Sequence, residues 1–373
     1  MKVLIAAAGT GGHIYPGIAV AGEVCRRDPS SEVLFVGTAR GLETKIIPAA
    51  GYQLSLIHSA GLKNVGLKSL VKGLAVLPKS FIEARQVIRN FRPDVAVGAG
   101  GYVSGPTLLA AAVMGVPTLI MDSNALPGFT NRRLARFVDK AALSFEEALP
   151  YFGGKGEVTG NPVRYEFFEI DRKERDGNLR ILIFGGSQGA RAINNAMCDA
   201  LLHIEDRRER IYVTHQTGEA DFQSVVDRYA GTAFDNSDIR PFISDIFLEF
   251  ARADLVISRA GATTCAELAA SGKASIMVPL PTAADDHQRK NAEAFKRAGA
   301  AEMLLQEDLS GERLAKDILS MLEDPARITR MEDAARRLGR RDAAEKTVDI
   351  IQRLAESEGK LAQKGGNTAS TPA

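Results

Sequence analysis

Cysteine is scarce in this chain of 373 residues, and the three present, Cys25, Cys198 and Cys265, show no CxxC spacing. An odd, scattered set gives neither a disulfide framework nor a zinc site, and it fits a reduced compartment. Charge of one sign is lacking too: 47 Lys and Arg balance 46 Asp and Glu, a formal +1, which excludes a chain coated in positive charge for nucleic acid. Aromatic residues are only 6%, too few for base stacking. Long apolar runs are missing as well. The run after Lys2, VLIAAA, ends at Gly9 and is shorter than the ~7–15 residues of a secretory core. The uncharged stretch Pro106 to Met121 falls below the ~20 apolar residues a bilayer requires, and Pro117 interrupts it. No Asp-x-Asp pair and no Walker A sequence occur, so a metal-held diphosphate has no evident ligands.

Short continuous apolar runs are abundant: Val3–Ala7, Val33–Val36, Val95–Val97, Thr118–Met121, Ile181–Phe184, Ile211–Thr214, Leu255–Ser258 and Ser275–Val278. Most lead through Gly, Ser, Asp or Asn into a helical pattern, the rhythm of parallel strands buried on both faces by helices. The rhythm restarts. KVLIAAAGTGG and RILIFGGSQGA share one grammar of charge, strand, glycine turn and helix, and the polar stretch Asp171–Asn178 precedes the second. The expected class is α/β, two Rossmann-like doubly wound domains facing across a cleft. We expect an N-terminal domain over 1–163 and a C-terminal domain over 164–345. Residues 346–373 are expected to be the end of a helix and a disordered polar tail.

Three glycine turns, Gly9–Gly12, Gly98–Gly101 and Gly185–Gly189, bring backbone N–H groups near a helix start, where an anion is favoured. None completes G-x-G-x-x-G, which disfavours an NAD-dependent dehydrogenase. His13 follows the first turn: an exposed or capping histidine, or a base whose pKa the helix N-terminus lowers. Ser258–Leu268 reads as a strand end and a helix from Ala262 to Ser271, with Gly272 as its cap. Glu267 on that helix either complements the dipole or accepts two bonds from ribose hydroxyls. Asp285, Asp286, His287, Gln288 and Asn291 then make a loop dense in hydrogen-bonding groups. From Lys63 to Arg92 seven basic residues interleave with leucines and Phe81. This is either a solvated helix face or a surface that meets anionic lipid, where Pro78 breaks the helix and presents Leu77 and Phe81.

GTGGHIYPGIAVA at Gly9–Ala21, GGYVSGP at Gly100–Pro106, GNPVR at Gly160–Arg164, GGSQGA at Gly185–Ala190, and RAGATTCAEL through DDHQRKNA resemble the MurG-type transferases in order and spacing from Lys2 to about residue 345. These are bacterial UDP-N-acetylglucosamine:N-acetylmuramyl-(pentapeptide) pyrophosphoryl-undecaprenol N-acetylglucosaminyltransferases. The resemblance implies a GT-B fold and an inverting transfer of N-acetylglucosamine (GlcNAc) from UDP-GlcNAc to the C4 hydroxyl of the muramyl sugar of lipid I, giving lipid II. It implies no cofactor and no metal.

By motif, the resemblance makes His13 the catalytic base or acceptor-positioning group. It sets Thr10, Gly11 and Gly12 against the donor sugar and acceptor diphosphate, Asn124 on the donor sugar, and Arg164 and Ser187 on the donor diphosphate. Ile243 would meet the uracil through its backbone, Ala262, Thr263 and Thr264 would frame the nucleotide, Glu267 would hold the ribose and Gln288 the sugar hydroxyls. Lys68, Lys72, Leu74, Leu77, Lys79 and Phe81 fall in the family's membrane-association region, which implies a peripheral protein on the cytoplasmic face of the inner membrane. Other cell-wall synthesis proteins are compatible partners; nucleic acid is not. Where the family usually reads His-Glu-Gln-Asn, this chain has Met121-Asp122-Ser123-Asn124, and a pair of glutamines in the donor loop is here His287-Gln288. Two other classes share parts of this pattern: a UDP-GlcNAc 2-epimerase, which needs no lipid, and a non-catalytic nucleotide-sugar sensor.

Overall fold

The computed structural model describes residues 1–59, 67–235, 237–283 and 286–366. The chain divides into two compact units, Met1–Arg164 with the chain from Asp342, and Tyr165–Arg341. Unit 1 runs β1 (Lys2–Ala7), α1 (Gly11–Arg27), β2 (Glu32–Gly37), α2 (Glu43–Ala49), β3 (Gln53–Leu56), α3 (Leu67–Phe91), β4 (Val95–Gly100), α4 (Ser104–Val113), β5 (Thr118–Asp122), α5 (Phe129–Leu134), β6 (Lys140–Leu143) and β7 (Gly156–Val158). Unit 2 runs β8 (Leu179–Phe184), α6 (Arg191–His203), β9 (Ile211–Gln216), α7 (Phe222–Ala230), β10 (Asp238–Arg240), α8 (Ile246–Arg252), β11 (Leu255–Ser258), α9 (Ala262–Ser271), β12 (Ala274–Met277), α10 (His287–Arg297), β13 (Ala301–Met303), α11 (Gly311–Glu323) and α12 (Pro325–Leu338). The last helix, α13 (Ala343–Gly366), returns to unit 1.

All strands of both sheets pair in parallel. The orders are β3-β2-β1-β4-β5-β6-β7 and β10-β9-β8-β11-β12-β13. In both sheets the direction of winding reverses once, between β1 and β4 and between β8 and β11. A doubly wound sheet binds its ligands at that reversal, beyond the carboxyl ends of the strands. The central strands are apolar because helices cover both faces: Val3 to Ala7 of β1 and Leu255 to Ile257 of β11 are fully buried.

Three features differ from the reading of the sequence. The units meet in sequence at Arg164/Tyr165, one residue beyond the expected boundary, and the chain leaves unit 2 at Arg341 rather than 345. The segment expected as a helix end and tail is in fact mostly helix packed on unit 1. Val348 and Ile351 are fully buried, and Arg27 of α1 donates to Asp349 at 2.6 Å and to Gln352 at 2.8 Å. The expected polar tail beyond Gly366 lies outside the described residues.

The expected break at Pro78 does not occur either, for α3 passes through it. An internal proline costs about 3 kcal/mol. The half of α3 that follows offsets that cost: Ala84 and Ile88 are buried, and the Ser80 hydroxyl donates to the carbonyl of His58. The side chains of Lys68, Lys72 and Leu74 lie outside the described residues, whereas Lys79 is exposed and Phe81 packs on the core.

Because α13 is held by buried apolar side chains, Ile351→Ala should destabilise the protein by about 3 kcal/mol, the cost of an aliphatic cavity. Urea unfolding would show a lower midpoint at unchanged slope; an unchanged midpoint would mean that α13 does not stabilise unit 1.

Candidate active site

In unit 1 the site grows from the adjacent ends of β1 and β4. Gly9 turns the chain at φ 96°, and its N–H donates to the carboxylate of Glu43 at 3.0 Å. Glu43 is fully buried and also accepts from the N–H and hydroxyl of Thr38, at 2.9 and 2.7 Å. The lack of a side chain at Gly41 makes room for it, since a Cβ there would lie 1.9 Å from Oε2. Sequence reading missed Glu43; two glycines, Gly37 and Gly41, just ahead of an acid were the available signal. Across the sheet, the buried Ser104 hydroxyl donates to the carbonyls of Ala6 and Gly100, at 3.0 and 2.8 Å, and accepts from the Gly100 N–H at 3.0 Å. It staples the two strand ends together.

The pairing of β1 with β4 shifts by one residue near its end, so that Ala6 faces Gly98 and Ala7 faces Gly100. The extra residue, Ala99, hydrogen-bonds the imidazole of His13 through its backbone. His13 lies in the first turn of α1, as its sequence position implied. Its ring packs so close to the Gly100 backbone that a Cβ on residue 100 would sit 2.1 Å from Nδ1. Its pKa lies below the ordinary histidine value. The main cause is loss of solvation, opposed by the charge of Asp122 and by the bond to Ala99. Burial lowers the pKa, where the position of His13 in the sequence suggested the helix N-terminus as one cause.

His13 opens into a cavity of about 410 Å³ that Gly12, Met121, Asp122, Ser123, Asn124, Ser144 and Asn161 also line. Asp122 organises its floor. One oxygen accepts from the Asn124 N–H at 3.0 Å and its Nδ2 at 3.3 Å; the other accepts from the Gly128 N–H at 3.0 Å and Asn131 Nδ2 at 2.8 Å. Thr10 is exposed and precedes α1, and its carbonyl accepts from the N–H groups of His13 and Ile14. Thus Thr10, Gly11, Gly12, His13 and Asn124 all come to the β1/β4 reversal of unit 1. Arg164, the last residue of unit 1 before Tyr165, stacks its guanidinium over Tyr15 of α1, 4.7 Å from the ring centroid.

In unit 2 the corresponding turn, Gly185–Gly189, carries Ser187 past the end of β8, and α6 opens only at Arg191. Gln216, at the end of β9 and nearly buried, joins this turn to the neighbouring loop. Its Nε2 donates to the Gly186 carbonyl at 3.0 Å, while its Oε1 accepts from the Ile243 N–H at 2.8 Å. The Ile243 N–H is therefore already engaged within the protein. Nothing in the local pattern marked Gln216, because its partners are 30 and 27 residues away.

Past β11, α9 spans Ala262–Ser271 with Gly272 in the left-handed conformation, as the sequence implied. Ala262, Thr263 and Thr264 form its partly exposed first turn, and Glu267 is buried on its second. Arg259 ties the strand end to the following loop by donating to the carbonyls of Val278 and Pro279, at 3.1 and 3.2 Å, and to Gln306 at 2.7 Å. Gln288 accepts from the Leu280 N–H at 3.0 Å, and Asn291 donates to the Ala260 carbonyl at 3.0 Å. Ser187, Ile243, Ala262–Thr264, Glu267 and Gln288 are thus all on unit 2, around its own winding reversal; Asp285 lies outside the described residues. Among the described residues no group of three or more His, Cys, Asp or Glu side chains is placed to hold a metal ion.

The models of the glycosyltransferase family 28 N-terminal and C-terminal domains match residues 3–143 and 180–354. The chain belongs to glycosyltransferase family 28. A UDP-N-acetylglucosamine--N-acetylmuramyl-(pentapeptide) pyrophosphoryl-undecaprenol N-acetylglucosamine transferase of Anaeromyxobacter dehalogenans is 46% identical over 357 residues, covering 95% of this chain and 93% of that protein. A protein of the same name from Myxococcus xanthus is 46% identical over 353 residues, covering 94% and 92%. Among solved structures, MurG of Acinetobacter baumannii matches at 31% identity with a TM-score of 0.69, covering 94% of this chain and 99% of that one. A UDP-GlcNAc 2-epimerase of Neisseria meningitidis is also similar in shape, TM-score 0.65 over 95% and 100% of the two chains, but at 15% identity. That likeness shows the fold alone. The family 28 members share a two-domain architecture with enzymes of other chemistry, so the side chains at the strand ends must carry the distinction.

The close approach of His13 to Gly100 gives a sharp expectation. In Gly100→Ala, strain at φ 121° and the collision with Nδ1 should displace the imidazole and lower sugar transfer at least ~100-fold, the scale of losing a positioned base. Circular dichroism should stay native; transfer within a few-fold of the parent would show that the imidazole does not depend on this contact.

Proposed function

We propose that the chain is an inverting glycosyltransferase that moves GlcNAc from UDP-GlcNAc to the C4 hydroxyl of the muramyl sugar in undecaprenyl-pyrophosphoryl-MurNAc-pentapeptide, giving lipid II. One observation carries the reading: a histidine of lowered pKa, held at the β1/β4 reversal, opens into a cavity. A base that is neutral at pH 7 can accept a proton, and contact of Nδ1 with the Gly100 segment leaves Nε2 for the substrate side. His13 takes the proton of the C4 hydroxyl as that oxygen forms its bond to the anomeric carbon. The bond from that carbon to UDP breaks on the opposite face, and its electron pair leaves with the diphosphate.

The family resemblance supports the remaining roles in this reading. Thr10, Gly11 and Gly12 face the donor sugar and the acceptor diphosphate, and Asn124 the transferred sugar. Arg164 and Ser187 meet the donor diphosphate, supplying the charge stabilisation a departing UDP needs. The Ile243 carbonyl reads the uracil, Ala262, Thr263 and Thr264 frame the nucleotide, buried Glu267 accepts the ribose hydroxyls, and Gln288 offers its NH₂ end to the sugar. The acceptor is lipid-linked, so the enzyme works at the cytoplasmic face of the inner membrane. No described helix is long and apolar enough to cross a membrane. Exposed Lys79 on α3 supports an anionic lipid surface as a partner. Peptidoglycan synthesis, cell shape and cell division are the processes such an activity serves.

Transfer of labelled GlcNAc from UDP-GlcNAc to a lipid I analogue, beside a control without acceptor, tests the reading. A β-1,4-linked product that requires acceptor is expected. Isomerisation of the donor alone would make the chain an epimerase, and donor binding without either reaction would make it a sensor. In His13→Ala, kcat should fall more than ~100-fold while the UDP-GlcNAc Kd moves less than ~3-fold; equal losses in both would remove His13 as the base. Because burial lowers the His13 pKa, the acid limb of the parent's kcat/KM should lie below pH 6.5, the ordinary histidine value.

Gln216 joins the diphosphate turn to the base-reading loop, so its loss should act on donor binding. In Gln216→Ala the KM for UDP-GlcNAc should rise roughly 10-fold, the effect of ~1.4 kcal/mol, with kcat little changed. A fall in kcat at constant KM would contradict this assignment.

A further inference from the structure

Leu77 and Phe81 are among the residues of α3 expected to meet the bilayer, yet both line the cavity into which His13 opens. Phe81 is half-buried and packs against the unit 1 core, while its neighbour Ile82 is 66% exposed. The face of α3 that stands in the open is therefore not the one bearing Leu77 and Phe81. Pro106 and Leu109 of α4 and Phe129 of α5 line the same cavity. Its lining thus joins an apolar wall to a polar group around His13, Asp122 and Asn131. Arg133 also lines it, with its guanidinium 5.1 Å from the Phe129 ring centroid.

A wall of this kind suits hydrocarbon better than the charged diphosphate or the hydroxyl groups of a sugar. The acceptor has one apolar part, the polyprenyl chain attached to its diphosphate. Apolar surface left wet beside a reacting hydroxyl would be unfavourable, and filling it with hydrocarbon is favourable in proportion to the area covered. We infer that the unit 1 cavity binds the isoprenoid segment next to the acceptor's diphosphate, lifting it out of the bilayer onto Leu77, Phe81, Pro106, Leu109 and Phe129. This rests on the transferase reading. Arg133 lies where the chain meets its diphosphate and supplies the opposite charge. On this inference the enzyme selects its acceptor partly by the isoprenoid, and membrane attachment falls to other residues.

The test uses the full chain with soluble acceptors, without detergent or lipid. MurNAc-pentapeptide diphosphates esterified with a methyl group or with prenyl groups of one, two and three isoprene units are compared in kcat/KM. Burying one or two isoprene units should raise kcat/KM more than ~10-fold between the methyl and two-unit acceptors. A flat series would overturn the inference, and transfer to none of the acceptors would overturn the transferase reading itself. In Phe81→Ala, and separately in Leu109→Ala, the ratio between the two-unit and methyl acceptors should collapse to under ~3-fold, with binding to phosphatidylglycerol vesicles retained. If Phe81→Ala instead lost vesicle binding and kept the ratio, Phe81 would be a bilayer contact and the inference would fall. Should either variant fail to fold, the acceptor series on the parent enzyme still decides.

Discussion

At the end of β4 three positions are closed to any side chain by what packs against them from α4, α1 and the end of β1. A Cβ at residue 98 would lie 2.6 Å from the Leu108 side chain, at residue 100 it would strike the His13 ring, and at residue 101 it would lie 2.1 Å from the carbonyl oxygen of Ala8. The left-handed or extended positive φ values of Gly100 and Gly101, 121° and 81°, close the same positions to other residues. From this packing follow the bulge at Ala99, the bond that orients the imidazole, and the Ser104 staple that holds both strands in register. Glu43 completes the frame from the other side by holding the N–H of Gly9. The His13 imidazole is thereby positioned by packed backbone and buried hydrogen bonds, which keeps it ordered before any substrate arrives.

Unit 2 solves a related problem with the same material. A Cβ at Gly189 would meet the Thr217 carbonyl oxygen at 1.9 Å, and one at Gly218 the Gln188 carbonyl oxygen at 2.3 Å, so the turn after β8 lies flat on the chain after β9. What differs is the chemistry each reversal presents. Around β8 and β11 lie backbone amides and the buried polar side chains Gln216, Arg259 and Glu267. Around β1 and β4 a histidine and an aspartate share one cavity with an apolar wall. A polar donor and an amphipathic acceptor call for this division.

What could be read from the sequence was whatever local pattern dictates. Strands buried on both faces appear as uninterrupted apolar runs, which is why β1, β4, β8 and β11 were visible together with their glycine turns. The edge strands β3, β7, β10 and β13 were not, since they have three or four residues and carry partly exposed or polar positions. The return of α13 to unit 1 depends on contacts such as Arg27 with Asp349, 322 residues apart, which no window detects. Pro78 misled because its local cost is real and tertiary burial outweighs it. In the candidate site the motifs drew attention to His13, Asn124, Glu267 and Gln288, whereas Gln216, and Glu43 in its bond to Gly9, act through partners 27 to 34 residues away.

Asp122 bears on whether the imidazole can serve as a base at all. A carboxylate near a histidine favours the protonated ring, and a strong pull would leave no acceptor at neutral pH. Both oxygens of Asp122 are occupied by donors, four in total from Asn124, Gly128 and Asn131. Those dipoles oppose its charge, and its attraction for a proton on His13 is smaller than the cost of burying a charged ring, so the lowered pKa survives. If His13 acts as the proposed base, the same carboxylate favours the imidazolium that would form once the hydroxyl proton has moved. Desolvation keeps the ring neutral before the reaction, and Asp122 then limits the cost of charging it.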